Sequence, residues 1–247
     1  MNELYRLEYS AAGHYPEDPI CQARQRKPVT KFVLRLIRSS VSSNEDRVLE
    51  IGCGWGFMLE ELILGGMNAI GFEPSEHMAG YCLERGLPVR QTTAGEAGLG
   101  PGSVRVIASM AVFEHLPDPV AELARYYRLL TPGGKVIIQC PVAHYARLFG
   151  RFARVFRGHH EPILPSLFGL LEPPWHACLP TPVGIERAAQ SAGLKLEKVY
   201  ASPSGKEAGL LGTMQHLNGA VAWTGLKLFG WNWPLSMGLV FVLGKPS

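Results

Sequence analysis

From residue 29 onward two hydrophobic rhythms alternate along the chain. In VTKFVLRLIRSS, apolar residues at 29, 32, 33, 36 and 37 follow the spacing of a one-sided helix. RVLEIG is a short, mostly apolar run that predicts a strand, and FMLEELILGG returns to helical spacing until Gly65 and Gly66 stop it. NAIGFEP predicts a second strand closed by Pro74. SEHMAGYCLERG predicts a helix with Ser75 at its N-cap and Gly86 at its end, and LPVRQT a third strand. After a glycine-rich loop, VRVIAS reads as strand four, VAELARYYRLL as a helix ended by TPGG, and KVIIQCP as strand five. TPVGIERAAQSAG then reads as a helix capped by Thr181, LKLEKVY as a sixth strand and MGLVFVLGK as the last. Alternating strands and helices predict an α/β fold, doubly wound around a mostly parallel sheet of seven strands.

Three stretches fall outside this rhythm. Residues 1–27 are a polar lead-in with a basic end at Arg24, Arg26 and Lys27. Residues 141–180 carry Arg147, Arg151, Arg154 and Arg157 at helical spacing among Leu148, Phe149, Phe152, Val155 and Phe156, then a proline- and aromatic-rich run. This stretch is expected to be an inserted substrate lid, and the Gly- and Trp-rich 202–236 a second insertion. No internal repeat divides the chain, so 1–247 is expected to form one domain.

Composition narrows the picture. Hydrophobic residues make up 47 % and charged residues 18 %, enough to build a core and to exclude global disorder. The 28 glycines and 19 prolines predict many turns. A net charge of +3 is too small to argue for a nucleic-acid partner, and no basic stripe interleaves with stacking aromatics. Five cysteines without C-x-x-C spacing predict buried thiols in a reducing compartment rather than a disulfide framework. Acidic residues at 3 and 8 without an apolar core segment, and no run of 18 apolar residues, leave the cytoplasm as the expected location.

The chemistry is concentrated after the first strand. Glu50-Ile51-Gly52-Cys53-Gly54-Trp55-Gly56 is a glycine loop between a strand and a helix, where a ligand can approach backbone N–H groups closely. Its G-x-G-x-G spacing differs from the G-x-G-x-x-G of dinucleotide-binding loops. A second acid, Glu73, ends the second strand, where a carboxylate can accept hydrogen bonds from ribose hydroxyls. Ser109-Met110-Ala111-Val112-Phe113-Glu114-His115-Leu116-Pro117-Asp118-Pro119 follows strand four, and LLTPGG precedes strand five.

These four segments, in order across roughly 47–140, resemble the class I S-adenosylmethionine-dependent methyltransferases, in the branch that acts on small molecules. PPWHACLPTP is similar to a further segment of that family, whereas the insertions match poorly. The resemblance implies a Rossmann-like methyltransferase fold, S-adenosylmethionine as cofactor and S-adenosylhomocysteine as product. It places Glu50, Gly52, Gly54 and Gly56 around the methionine and ribose of the cofactor, Glu73 on the ribose, and Pro74 and Met78 beside the adenosine. Met110 and Val112 would flank the cofactor from the other side. Thr93 stands where the family carries an acid for the adenine, so that contact would fall to the backbone at Ala94 and Gly95.

A sulfonium methyl is already activated, so the enzyme mainly aligns it with the nucleophile, excludes water and at times removes a proton. Candidate bases are His176, His115 and His144, because histidine titrates near neutral pH. Glu114 and His115 are expected to brace the loop after strand four or the helix that follows it, ahead of any catalytic role. His144, His159 and His160 lack partners at metal-ligand spacing, so no metal is expected. The arginine row suits an anionic substrate or a membrane surface, and the Trp- and Leu-rich 210–235 an apolar one. The expected reaction is O-methylation of a small or lipid-like molecule. The alternatives are C- or N-methylation, a nicotinamide oxidoreductase, an RNA or protein methyltransferase, or a catalytically inactive methyltransferase fold that binds a partner.

Overall fold

The computed structural model describes residues 19–93, 98–143, 177–203, 210–230, 233, 235–236 and 238–247. Among them a seven-stranded sheet forms the centre of the molecule, in the order β3-β2-β1-β4-β5-β7-β6. The strands are β1 (Val48–Ile51), β2 (Ala69–Phe72), β3 (Val89–Arg90), β4 (Val104–Met110), β5 (Leu130–Pro141), β6 (Lys195–Ala201) and β7 (Gly238–Gly244). All neighbouring pairs from β3 to β5 run parallel, while β7 lies antiparallel to both β5 and β6. The fold is therefore the doubly wound, mostly parallel α/β arrangement expected from the sequence.

Helices cover both faces of the sheet. On one face α1 (Pro19–Arg38), α2 (Phe57–Leu64) and α3 (Glu76–Glu84) bury Val33, Ile37, Leu59 and Cys82 against Val48, Val106, Ile137 and Val240. On the other, α4 (Pro119–Leu129) and α5 (Pro182–Ser191) bury Leu123, Tyr126 and Ile185 against Leu49, Ile107, Ile138 and Phe241. Strand residues thus alternate between two cores, and this is why their sequences read as continuous apolar runs. A further helix, α6 (Leu210–Phe229), packs beside β6.

Capping residues mark helix starts where the sequence places them. Ser75 accepts a hydrogen bond from Met78 N–H at 3.4 Å, and Thr181 from Gly184 N–H at 3.0 Å. Asp118 accepts one from Ala121 N–H at 2.9 Å, with Pro119 pre-shaped for the first helical position.

Two boundaries differ from the sequence expectation. The first helix begins at Pro19 and runs through Pro28, so the end of the 1–27 lead-in is helical. A proline inside a helix removes one ladder bond, which is why Pro28 reads locally as a boundary; the packing of Val33, Leu34 and Ile37 on the sheet outweighs that signal. The TPGG segment, expected to lie between helix and strand, belongs to β5. It forms an irregularity there: Val104 pairs with Leu130, but Val106 pairs with Lys135. Gly133 takes φ 70° and donates to Lys245 O at 3.1 Å, while Lys245 N–H donates to Gly134 O at 2.9 Å. Most of the proposed lid, residues 144–176, lies outside the described residues, as do 1–18 and 204–209. The 202–236 stretch contains the 20-residue α6, a helix its scattered glycines and tryptophans had not suggested.

Candidate active site

The sheet order places β1 beside β4, and the chain winds outward from that pair in opposite directions. Ligands of open α/β sheets bind at such a point, beyond the carboxyl ends of the strands. The glycine loop leaves β1 at this point. Gly52, Gly54 and Gly56 take φ of 63°, 55° and 76°, conformations that other residues adopt only under strain. At Gly52 a Cβ would come within 2.4 Å of Val112 Cγ2, so glycine is also needed for the loop to touch the turn after β4. A Cβ built at Gly54 would meet only Met78 Sδ, at 4.0 Å, so there the left-handed φ rather than crowding calls for glycine.

Two buried acids bracket this loop. Glu73, 6 % exposed, follows β2 and turns its carboxylate back under the loop. It accepts Gly54 N–H at 2.8 Å on Oε2 and Ser75 N–H at 2.9 Å on Oε1. Burial pushes its carboxyl up to about 7, against the pull of these two N–H donors. Glu50, at 4 % exposure, is held well above the usual carboxylate range by burial first and then by the neighbouring Cys82 and Glu73. Leu59 N–H and the Arg26 guanidinium act in the opposite sense on it. Its Oε2 has no hydrogen-bond partner among the described residues. Cys82, from α3, donates to Gly54 O at 3.3 Å and fastens the loop from below. Trp55 is buried edge-on against His77 and Tyr81, with ring centroids 5.2 and 5.1 Å away.

The opposite wall is the turn after β4. Ala111 takes φ 53°, a left-handed conformation held by its N–H bond to Gln139 O at 2.8 Å. A non-glycine residue there costs about 1–3 kcal/mol, and such strain clusters at functional sites. A 3₁₀ turn, Phe113–His115, follows. It is braced from outside by the returning end of the 141–180 stretch: Cys178 N–H donates to Glu114 O at 3.0 Å, and that end is itself tied to the chain past β5, where Ala143 N–H donates to Pro180 O at 3.0 Å. Glu114 itself is buried, its carboxyl pushed up to about 7 by loss of water, with its own N–H and Arg26 pulling the other way.

This arrangement matches a known family. The methyltransferase domain family matches residues 21–199, most of the chain. The chain belongs to that methyltransferase family. It is 32 % identical over 136 residues to the ubiquinone biosynthesis O-methyltransferase of Methylococcus capsulatus, covering 52 % of this chain and 57 % of that protein. It is 29 % identical over 147 residues to the enzyme of the same name from Marinobacter nauticus, covering 56 % and 61 %. The match thus spans less than two thirds of either relative. Among solved structures, the SAM-dependent methyltransferase from Archaeoglobus fulgidus superposes with a TM-score of 0.59 at 19 % identity. That superposition covers 89 % of this chain and 94 % of the other, and the two share a fold.

Within this methyltransferase fold, the structure brings Glu50, Gly52, Gly54, Gly56, Glu73, Pro74, Met78, Met110 and Val112 to the carboxyl ends of β1, β2 and β4. Thr93 lies just past β3. His115 ends the 3₁₀ turn, with its N–H bonded to Val112 O at 2.9 Å. Ala94, Gly95, His144 and His176 lie outside the described residues. Among the described residues no three His, Cys, Asp or Glu side chains are grouped to hold a metal ion, and no helix is long and apolar enough to cross a membrane. Sequence reasoning missed Arg26, whose field reaches both Glu50 and Glu114. It also missed the burial of Glu114. Extending the first helix back through Pro28 was the step that would have given Arg26 a helical position over the sheet.

Proposed function

We propose that this protein transfers the methyl group of S-adenosylmethionine to a hydroxyl oxygen of a small, lipid-like molecule and releases S-adenosylhomocysteine. The observation that carries this reading is the loop geometry. Two buried acids flank a glycine loop held in left-handed turns: Glu73 grips Gly54 N–H, and Glu50 has an oxygen without a hydrogen-bond partner among the described residues. An isolated buried carboxyl is costly unless something pairs with it. A ligand ammonium meets that need at Glu50, and a vicinal diol suits Glu73. S-adenosylmethionine offers both groups, so these residues fit it.

In this reading Glu73 accepts the ribose hydroxyls while keeping its tie to Gly54 and Ser75. Glu50 faces the methionine ammonium, and Arg26 supplies the cation for the methionine carboxylate. Pro74 and Met78 lie along the adenosine, Met110 and Val112 along the other flank, and Thr93 with the backbone of Ala94 and Gly95 at the adenine. The bound cofactor supplies an activated sulfonium methyl. The chain's task is to hold the acceptor oxygen in line, keep water out and take up a proton. His115, His144 and His176 are the histidines offered for that last role. Oxygen as acceptor atom is supported by the Methylococcus and Marinobacter relatives, which are O-methyltransferases.

The substrate class is read from surfaces. Arg147, Arg151, Arg154 and Arg157 suit an anionic group, and the exposed Leu217, Trp223, Leu228 and Phe229 of α6 suit apolar material or a membrane surface. We read 1–247 as a single domain working in the cytoplasm, with 141–180 as the lid and 202–236 as a second insertion. Calorimetric titration with S-adenosylmethionine and S-adenosylhomocysteine tests the cofactor, with NAD and Glu73→Ala as controls. Micromolar binding that weakens at least about tenfold in the variant is expected. Absence of binding to either sulfur nucleoside refutes the function.

A further inference from the structure

Glu114 is a buried carboxyl with one oxygen left without a hydrogen-bond partner among the described residues. It sits on the 3₁₀ turn after the strained Ala111, beyond the carboxyl end of β4, the strand adjacent to the one that carries the glycine loop. The brace to the returning 177–180 segment is made by its main-chain oxygen, which accepts Cys178 N–H at 3.0 Å. The side chain takes no part in that brace. It is 2 % exposed, and its Oε2 has no hydrogen-bond partner among the described residues. Leaving a buried carboxyl oxygen unpaired costs about 1–3 kcal/mol, a cost that a structural acid would have no reason to carry.

We propose that Glu114 is the catalytic base for the acceptor, receiving the hydroxyl proton on Oε2. The proposal rests on the O-methyl transfer function above. Glu114 stands two residues beyond Val112, whose side chain meets the glycine loop at Gly52, so its turn adjoins that loop, and the charge of Arg26 on α1 favours ionisation of both Glu50 and Glu114. As the oxygen–methyl bond forms and the sulfur–methyl bond breaks, sulfur keeps the bonding electron pair. The proton leaves the oxygen for Glu114 and passes to solvent afterwards. Charges balance: a cationic sulfonium and an anionic carboxylate become a neutral thioether and a neutral carboxylic acid.

The surroundings suit this exchange. From α1 comes Arg26, from β5 the buried Cys140, from the returning segment Cys178, and from its own turn His115. Both thiols are raised above their usual range, by burial first and by Glu114 next, so they remain neutral beside it. Burial brings the Glu114 carboxyl to about 7, where a base is ionised half the time and still holds a proton well.

The test uses the full chain with catechol as acceptor probe and Glu114→Gln as the variant, at saturating cofactor so that Glu73 does not contribute to the pH profile. The variant is expected to bind S-adenosylhomocysteine like the wild type and to lose at least about 100-fold in kcat. The rise of kcat through pH ~7 should vanish with it. A second readout needs no turnover. Catechol binding to protein loaded with S-adenosylhomocysteine, followed calorimetrically in two buffers at a pH of about 6.5, should release a fraction of a proton. A hydroxyl donor favours the ionised carboxylate, and the release should be absent in Glu114→Gln. Glu114→Asp, which keeps an acid, should retain the pH-dependent rise at reduced rate and covers the case of a Gln variant that folds poorly. Turnover of Glu114→Gln within about threefold of wild type overturns the proposal. So does wild-type protein that binds S-adenosylhomocysteine yet releases no proton on taking up catechol, and the methyltransferase function then still stands. Failure of the wild type to bind S-adenosylhomocysteine removes both.

Discussion

At the scale of single residues, three buried acids mark the proposed site. Glu73 and Glu114 titrate at about 7, and Glu50 is raised well above the usual range, each chiefly by loss of water. A carboxyl raised in the folded state binds its proton more tightly there than in the unfolded chain. Its stabilising effect is therefore complete below the unfolded value of about 4.5 and is lost as pH rises towards 7, at about 1.4 kcal/mol per pH unit and group. The ligand-free protein should melt at a lower temperature at pH 8 than at pH 5.5, and Glu114→Gln should flatten that slope; a melting temperature that climbs over this interval contradicts the burial of these acids. Ligand binding carries the opposite sign. Ribose hydroxyls donate to an ionised Glu73, so the affinity for S-adenosylhomocysteine should fall as pH drops below about 7. Titrations at pH 6 and 8 should differ by several-fold in dissociation constant for the wild type, and by much less for Glu73→Gln.

At the scale of elements, two glycines make opposite demands. Gly52 combines φ 63° with a Cβ position 2.4 Å from Val112 Cγ2, so Gly52→Ala should cost about 1–3 kcal/mol and weaken cofactor binding at least about tenfold. Gly80 lies inside α3 with nothing within 4 Å of a built Cβ, so Gly80→Ala should raise stability by up to about 1 kcal/mol. Chemical denaturation of both variants separates the two effects, and equal losses would show that the loop contact carries no special constraint. The same distinction shows what the sequence made legible. G-x-G-x-G after an apolar run announced Gly52, Gly54 and Gly56, and Pro74-Ser75 announced the turn that presents Glu73, because loop conformation and capping are written in adjacent residues. Ser75 and Thr181 announced two helix starts for the same reason, and Asp118 proved to cap a third. Arg26 and the burial of Glu114 were not legible, because each depends on chain far away in sequence. One needs a helix to persist through Pro28, and the other needs Cys178 to return over β4. The four-residue irregularity at TPGG was hidden likewise, since Gly133 is fixed by Lys245 from the opposite end of the chain.

At the scale of the molecule, the proposed site is built from pieces far apart in sequence that the sheet and its two cores hold together. Arg26 comes from the first described helix, Glu50 from β1, Glu73 from the end of β2, and Glu114 from the turn after β4. Two cores on opposite faces join these elements, and Lys245, past the last strand, donates to Tyr127 O at 2.9 Å and Leu130 O at 2.8 Å to tie the carboxyl end to α4. A cofactor seated across β1, β2 and β4 therefore bridges segments that must come apart together when the domain unfolds, and its binding energy should appear as global stability. At a hundred times the dissociation constant the gain is about 2.7 kcal/mol, which for a chain of this length raises the melting temperature by about 5–10 °C. S-adenosylhomocysteine should produce that shift in a single cooperative transition, NAD should not, and Glu73→Ala should reduce it to a few degrees at the same ligand concentration. A shift confined to one of two separate transitions would mean that the β1–β2–β4 crevice and the β5–β7–β6 half of the sheet unfold independently.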